Sequence, residues 1–135
     1  MHRQGQILLC KDFKFKDGSI ADKLFVVLDT AATDYSCLVI ITTSNPSRYA
    51  YATPGCNSAK SAFYISVDCN QDFSENTYIQ LPRIFELDID ALLSKKQIGF
   101  IGHISDICFA QLKKCLRKFK YDISPQHWAK IYQAT

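Results

Sequence analysis

The chain has 135 residues, of which 47% are hydrophobic and 21% charged, which fits one globular domain and leaves little room for a second. The formal net charge of +3 is mildly basic, so the composition permits binding to RNA or DNA without requiring it. The longest apolar runs, such as Leu38 to Ile41, are far shorter than the about 20 residues of a transmembrane helix. The polar N-terminus shows no signal peptide, and we therefore expect a cytoplasmic protein that does not enter the membrane.

The first part of the chain predicts an antiparallel β meander. Ile7 to Cys10 begins a strand, and Lys16 to Ser19 contains the glycine of a turn. Lys23 to Asp29 and Cys37 to Thr43 are two further apolar strands. The next segment, Ser44 to Lys60, is rich in small and polar residues and reads as a long loop, and loops of this length in compact domains are often functional.

The second part predicts more strands and then helices. Strand patterns occur at Phe63 to Val67, Thr77 to Leu81 and Gln97 to His103. Apolar residues then recur at helical spacing over about 105–120, and Ser124-Pro125 begins a second helix over about 124–133. We therefore predict a single domain over 1–135, mainly β, with about six strands in 5–103 followed by C-terminal helices, which is an α+β arrangement.

The cysteines and cofactor motifs point to no bound group. None of the six cysteines forms a CxxC pair, and their spacings match no zinc module. Reduced, mostly buried thiols are expected, while a disulfide between Cys56 and Cys69, or a metal shared by them with His103, stays open. His2 is expected in a frayed end. The chain lacks a P-loop, GxGxxG and HExxH, so we predict no cofactor and no metal.

The order of several short motifs resembles the PemK/MazF toxin family. Gly5-Gln6-Ile7 matches the opening of that family, Lys23 to Asp29 matches its second strand, and Ile40 to Ser44 matches a strand that ends in Thr-Thr or Thr-Ser. Tyr78 to Arg83 falls where the family has a strand leading to a Pro-Arg step. The resemblance implies an SH3-like small antiparallel barrel, a homodimer, that cleaves single-stranded RNA without metal and is silenced by an antitoxin protein.

The resemblance also implies catalytic positions. Cleavage by the ribose 2′-hydroxyl needs a base, an acid and donors for the phosphate charge. Lys23 stands where the family has arginine, and Thr42 matches a family threonine that could hydrogen-bond a phosphate oxygen. Tyr78 and Gln80 stand where some members have a basic and an acidic residue; Gln80 cannot act as a base.

Further candidates come from the residue types themselves. His103 is the best single acid–base group because the ordinary pKa of histidine is near 6.5. The predicted catalytic set is therefore Lys23, Thr42, His103 and Tyr78. Aromatic and basic side chains can stack unpaired bases and hold phosphates, so RNA contacts are predicted for Arg48, Tyr49, Tyr51, Lys60 and Lys16.

Three functions stay open at this point: a toxin-type endoribonuclease, a catalytically degenerate nucleic-acid-binding module on the same barrel, and a protein-interaction domain that shares only the fold. The later turns of the predicted helix over about 105–120 carry a second basic set, which could grip a nucleic-acid backbone or simply face solvent: Lys113, Lys114, Arg117, Lys118 and Lys120.

Overall fold

The computed structural model describes residues 2–30, 36–70 and 72–132. Its strands are β1 (Gln6–Lys14), β2 (Ile20–Val27), β3 (Ser36–Thr43), β4 (Gly55–Asn57), β5 (Ala62–Ile65), β6 (Thr77–Asp88) and β7 (Ile98–His103). Its helices are α1 (Ile89–Ser94), α2 (Asp106–Leu116) and α3 (Pro125–Tyr132). No helix in these ranges is both long and apolar enough to cross a bilayer.

All strand pairs are antiparallel and form one sheet in the order β4-β5-β6-β3-β2-β1-β7. Within the described ranges no ladder joins the edge strands β4 and β7, so the sheet is open. The predicted class, mainly antiparallel β with C-terminal helices, is confirmed. The expected long loop over 44–60 instead contains β4 and a 3₁₀ turn at Pro46–Tyr49, because pairing with β5 supplies the hydrogen bonds that the local sequence does not suggest.

Apolar side chains cover both faces of the sheet. One face, the helical face, packs against α2 and α3 through residues that include Val26, Ile40, Ile79, Leu112, Leu116 and Ile131. The other, the aromatic face, carries a second cluster that includes Leu8, Cys10, Phe25, Ile41, Phe13 and Phe85. Because side chains alternate along a strand, the position of a residue determines the face on which it lies.

A β-bulge in β1 keeps the aromatic cluster together. The register shifts between Cys10 and Phe13, where Asp12 adopts a φ of 55° and its amide donates a hydrogen bond to the Asp22 carboxylate at 3.0 Å. Cys10 and Phe13 are three positions apart, so strict alternation would place them on opposite faces of the sheet. The extra residue of the bulge places Phe13 on the same face as Cys10. Phe13 then contacts Phe25 edge-to-face at 5.1 Å between ring centroids.

A larger irregularity interrupts β6. Ile84 pairs with Ile40 and Ile79 pairs with Thr42, so the four residues 80–83 lie opposite Ile41 alone. The cis Leu81-Pro82 bond lies in this segment. Proline cannot donate to a ladder and marks such bulges in strands. The bulge places Arg83 at the margin of the aromatic face.

Two expectations about single residues are wrong. Cys56 and Cys115 form a disulfide that ties β4 to α2, whereas Cys69 is an exposed free thiol. The sequence gives no signal for this pairing because its partners are 59 residues apart. His2 is not frayed: it is buried, and its imidazole is hydrogen-bonded to Asp29, which follows β2.

Candidate nucleic-acid interface

A broad cleft of about 840 Å³ opens along the margin of the aromatic face. It lies between the end of β1, the 3₁₀ turn before β4, and the bulged segment of β6. Basic and aromatic side chains dominate its lining, which also holds one carboxylate, that of Asp17; the basic and aromatic members are Phe13, Lys14, Phe15, Lys16, Arg48, Arg83 and Phe85. We call this surface the basic cleft.

Lys23, Arg48 and Arg83, which belong to three different elements, are three of the cations in and beside this cleft. Arg48 and Arg83 line it, and the Lys23 ammonium lies 5.9 Å from the centroid of the Phe15 ring. Burial, and then the charges of Arg83 and Arg48, lower the pKa of Lys23. In the part of the chain that the structure describes, none of the three forms an ion pair with a carboxylate. Because no carboxylate of the described residues pairs with them directly, their mutual repulsion favours the binding of an anion beside them.

A buried amide orients one of these cations. The Arg83 guanidinium donates to the Gln80 side-chain oxygen at 2.7 Å, and the Gln80 amide nitrogen donates to the Tyr49 hydroxyl at 3.0 Å. Gln80 and Tyr49 are buried, so this chain links Arg83 to the interior of the fold. An oriented guanidinium loses less side-chain entropy when it binds a phosphate.

The three tyrosines behind this chain form a stack. The Tyr78 ring lies between Tyr49 at 5.1 Å and Tyr64 at 4.7 Å, with interplanar angles near 20°. Only 7% of Tyr78 is exposed, and burial and the neighbouring Tyr64 raise the pKa of Tyr78. The buried phenol packs within the stack, and its raised pKa makes it a weaker acid than an ordinary tyrosine.

Lys23 and Thr42 lie on adjacent strands but on opposite faces. Lys23 pairs with Cys10 of the aromatic face. Thr42 pairs with Ile79 of the helical face, and its hydroxyl donates to the Leu24 carbonyl at 2.8 Å. The Thr42 hydroxyl is thus occupied by a backbone carbonyl of β2, although Thr42 and Lys23 both line one small pocket.

Thr43, the residue after Thr42, supplies a hydroxyl on the face of the sheet that carries Lys23. Thr43 is two residues after Ile41, which pairs with Phe25, and Lys23 is two residues before Phe25, so Thr43 and Lys23 lie on the same side of the sheet. A small pocket of about 170 Å³ is lined by both threonines and by Lys23, but also by the carboxylates of Asp22 and Glu75. These two negative charges disfavour a phosphate there, which makes the basic cleft the better anion site.

His103 lies far from the three cations. It pairs with Gln6 of β1, whereas Lys23 pairs with Cys10 on the other side of that strand. His103 and Lys23 are thus separated by four residues along β1, which is about 13 Å, and by two strand spacings across the sheet, which is about 10 Å. The His103 amide donates instead to Asp72 at 3.0 Å. The structure does not bring His103 to the basic cleft.

The predicted RNA-binding residues divide into two groups. Lys16 and Arg48 line the basic cleft. Tyr49 is buried in the tyrosine stack, so its ring offers little surface to an unpaired base. Tyr51, with 96% of its surface exposed, and Lys60 are on the surface but do not line the cleft.

The basic set on α2 and the residues that follow it has a different environment. Lys113 and Arg117 lie over the Tyr132 ring, at 5.2 and 4.4 Å from its centroid, and Lys120 lies 5.5 Å from the centroid of Trp128. These cations pack on the aromatic side chains of α3 and help to hold α3 against α2.

Sequence reasoning missed the contribution of Arg83 to the site. A proline inside an otherwise regular strand pattern signals a bulge, and the residue after it is a natural candidate for an altered direction. The alternation of Lys14 and Lys16 with Phe13 and Phe15 was a second signal. Its meaning depends on the bulge at Asp12, which the sequence does not reveal.

No protein-family model matches this chain, and no curated protein matches it either. The resemblance to the PemK/MazF toxins therefore stays a prediction.

Proposed function

We propose that this protein binds single-stranded RNA in the basic cleft. The observation that carries the proposal is the cluster of Lys23, Arg48 and Arg83, three cations without a carboxylate partner in the described ranges, beside the exposed margin of an aromatic cluster. Guanidinium groups suit phosphates because they donate two parallel hydrogen bonds, and a nearby lysine adds a point charge.

The aromatic lining favours single strands over duplexes. Phe13, Phe15 and Phe85 border the same cleft as the cations. Unpaired bases can stack on such rings, whereas a duplex keeps its bases stacked on one another and offers only phosphates. The choice of RNA over DNA rests on the resemblance, since the cleft chemistry suits either sugar.

RNA cleavage is the second candidate, and it rests on the same cations. Three positive groups can stabilise the extra charge of a phosphate under attack. The basic cleft has weaker candidates for the acid and the base, because Tyr78 is buried in the stack and His103 lies at the other end of β1. We therefore propose binding as the primary function, and toxin-type endoribonuclease activity stays a prediction.

The remaining implications of the resemblance belong to the same proposal. The antiparallel order β3-β2-β1 with bulges in β1 and β6 supports an SH3-like barrel, although the sheet is open at β4 and β7. A homodimer, an antitoxin protein partner and a cytoplasmic location stay predictions.

The experiment compares labelled oligonucleotides of one sequence as single-stranded RNA, single-stranded DNA and RNA duplex. We expect the fluorescence anisotropy of the single strands to rise at protein concentrations that leave the duplex free. A denaturing gel of the same RNA samples reports cleavage separately. No binding at low salt, or preference for the duplex, contradicts the proposal; a gel with intact RNA contradicts only the cleavage prediction.

The matched variants are Arg83→Gln and Lys118→Gln, which each remove one positive charge. Arg83 lies in the basic cleft, whereas Lys118 is exposed and follows α2. We expect the first variant to weaken RNA binding about 5- to 50-fold, as lost charged contacts do, and the second to leave it nearly unchanged. Equal losses in both variants would place the interface elsewhere.

A further inference from the structure

A second cluster of reactive side chains lies at the other end of the sheet from the basic cleft. His2 precedes β1, Asp29 follows β2, and Cys37 is the second residue of β3. Asp29 is six residues along the chain from Lys23, or about 20 Å of extended strand. The three side chains therefore belong to a separate region of the molecule.

The three groups converge closely and are almost fully buried. The His2 Nε2 atom is 2.8 Å from Asp29 Oδ1, and one ligand atom from each of the three residues lies within 4.8 Å of the other two. Their exposed fractions are 5% for His2, 3% for Asp29 and 0% for Cys37. The Asp29 oxygen also accepts a hydrogen bond from the Leu38 amide at 3.1 Å, which fixes the carboxylate against β3.

We propose that His2, Asp29 and Cys37 form a binding site for a zinc ion. Imidazole, thiolate and carboxylate are the three ligand types of zinc in proteins, at about 2.0–2.3 Å from the metal. Tetrahedral geometry at those lengths puts ligand atoms roughly 3.3–3.7 Å apart. The His2 and Asp29 atoms need to separate by about 0.5 Å, and the Cys37 sulfur, which lies within 4.8 Å of both, needs to approach by at most about 1.5 Å.

The donor set selects the class of metal. A soft thiolate disfavours magnesium and calcium, which take oxygen ligands, and the imidazole adds preference for zinc and its neighbours. Three protein ligands leave a fourth position for water. On binding, zinc takes the place of the Cys37 thiol proton, which is released to solvent, and His2 binds as the neutral imidazole.

A nucleophilic cysteine is the competing interpretation of the same three residues. Such a site needs the sulfur to reach a substrate, and Cys37 has no exposed surface. His2 is hydrogen-bonded to Asp29, and both residues are buried like Cys37, so neither is exposed to a substrate. A small ion can enter such a site through local opening, whereas a macromolecular or drug-sized substrate cannot occupy it.

Cobalt(II) is the probe, because its thiolate complexes absorb in the near ultraviolet and its tetrahedral complexes absorb in the visible. We expect one equivalent of Co²⁺ to produce both absorptions in the full chain, and one equivalent of Zn²⁺ to remove them. Cys37→Ser is expected to abolish the near-ultraviolet band, and His2→Gln to weaken Co²⁺ binding at least about tenfold. The control, Cys69→Ser, changes an exposed free thiol and leaves the spectrum intact.

Absence of the thiolate band in the wild-type chain overturns the proposal, as does a band that survives Cys37→Ser or is lost in Cys69→Ser. Circular dichroism checks that each variant is folded. If Cys37→Ser unfolds, NMR of the wild-type chain tests the proposal instead. One equivalent of Zn²⁺ is then expected to shift the His2 imidazole resonances. Unshifted His2 resonances, or shifts confined to His103 and His127, contradict the assignment.

Discussion

The Arg83 guanidinium donates a hydrogen bond to the buried Gln80 carboxamide at 2.7 Å. Gln80 in turn donates to Tyr49, so the cation at the mouth of the basic cleft is tied to a tyrosine stack in the fold. Both Gln80 and Arg83 belong to the four-residue bulge of β6. An irregular strand thus supplies both the cation and the group that orients it.

Removing the orienting amide tests this relationship. Gln80→Leu keeps the volume but leaves Arg83 without its acceptor, and we expect RNA affinity to fall about 2- to 10-fold, equivalent to about 0.5–1.5 kcal/mol. Fluorescence anisotropy measures the affinity. Gln126→Leu, at an exposed position of α3, is the control. Unchanged affinity in Gln80→Leu would show that Arg83 needs no positioning.

Tyr78 tests the division between structural and catalytic roles. Tyr78→Phe retains a ring between Tyr49 and Tyr64 but removes the hydroxyl. We expect RNA binding, and any cleavage seen in the wild type, to stay within about twofold, with stability changed by about 1 kcal/mol or less. Binding and gel assays report the first, and urea unfolding reports the second. Loss of cleavage with intact binding would make Tyr78 a proton carrier.

The partly buried hydroxyl of Tyr132 is expected to make the free energy of unfolding fall at alkaline pH. Its hydroxyl donates to the Lys113 carbonyl at 2.6 Å, and burial raises the pKa of Tyr132 to about 12, against an ordinary value of 10.0. The unfolded chain therefore releases this proton at a lower pH than the native protein. The resulting stabilisation is present below about pH 10 and is lost as the pH rises towards 12.

Urea unfolding from pH 8 to 12 measures this effect. Tyr132→Phe removes both the hydrogen bond and the titration, so we expect it to cost about 0.5–1.5 kcal/mol at pH 8 and to give a shallower decline above pH 10. Tyr121→Phe, at a position with 98% of its surface exposed, is the control. A parallel decline in wild type and Tyr132→Phe would contradict the assigned pKa.

The Cys56–Cys115 disulfide is expected to stabilise the contact between β4 and α2. It closes a loop across 59 residues of sequence, and cross-links of that kind contribute about 2–4 kcal/mol. Cys56→Ser should lower the free energy of unfolding by that amount, whereas Cys69→Ser should change it little. Mass spectrometry of the unreduced chain after proteolysis identifies the bond. A Cys56–Cys69 linkage there would contradict the structure.

The strands and helices were largely predictable because their signals are local. Apolar runs mark β2 and β3, and helical spacing with a serine cap marks α2. The pairing of β4, the Cys56–Cys115 bond and the burial of His2 depend on residues distant in sequence. No local pattern encodes them.

The candidate site was predictable only in part for the same reason. Lys23 was found through its place in a motif order, and Lys16 and Arg48 through their residue type. The face on which each side chain lies depends on two bulges, at Asp12 and at 80–83, and a shift of one residue reverses it. Thr43, rather than the predicted Thr42, shares the face of Lys23, and this follows from the register in which Phe25 pairs with Ile41.

The salt dependence of RNA binding tests the central claim most directly. Each phosphate contact contributes about 0.7 to the slope of log affinity against log salt for a single strand. We predict that Lys23→Gln lowers the affinity and reduces the magnitude of this slope by about 0.7, the value of one contact. Lys118→Gln is expected to change neither quantity. A slope that is unchanged in Lys23→Gln, or one that falls equally in Lys118→Gln, would contradict binding in the basic cleft.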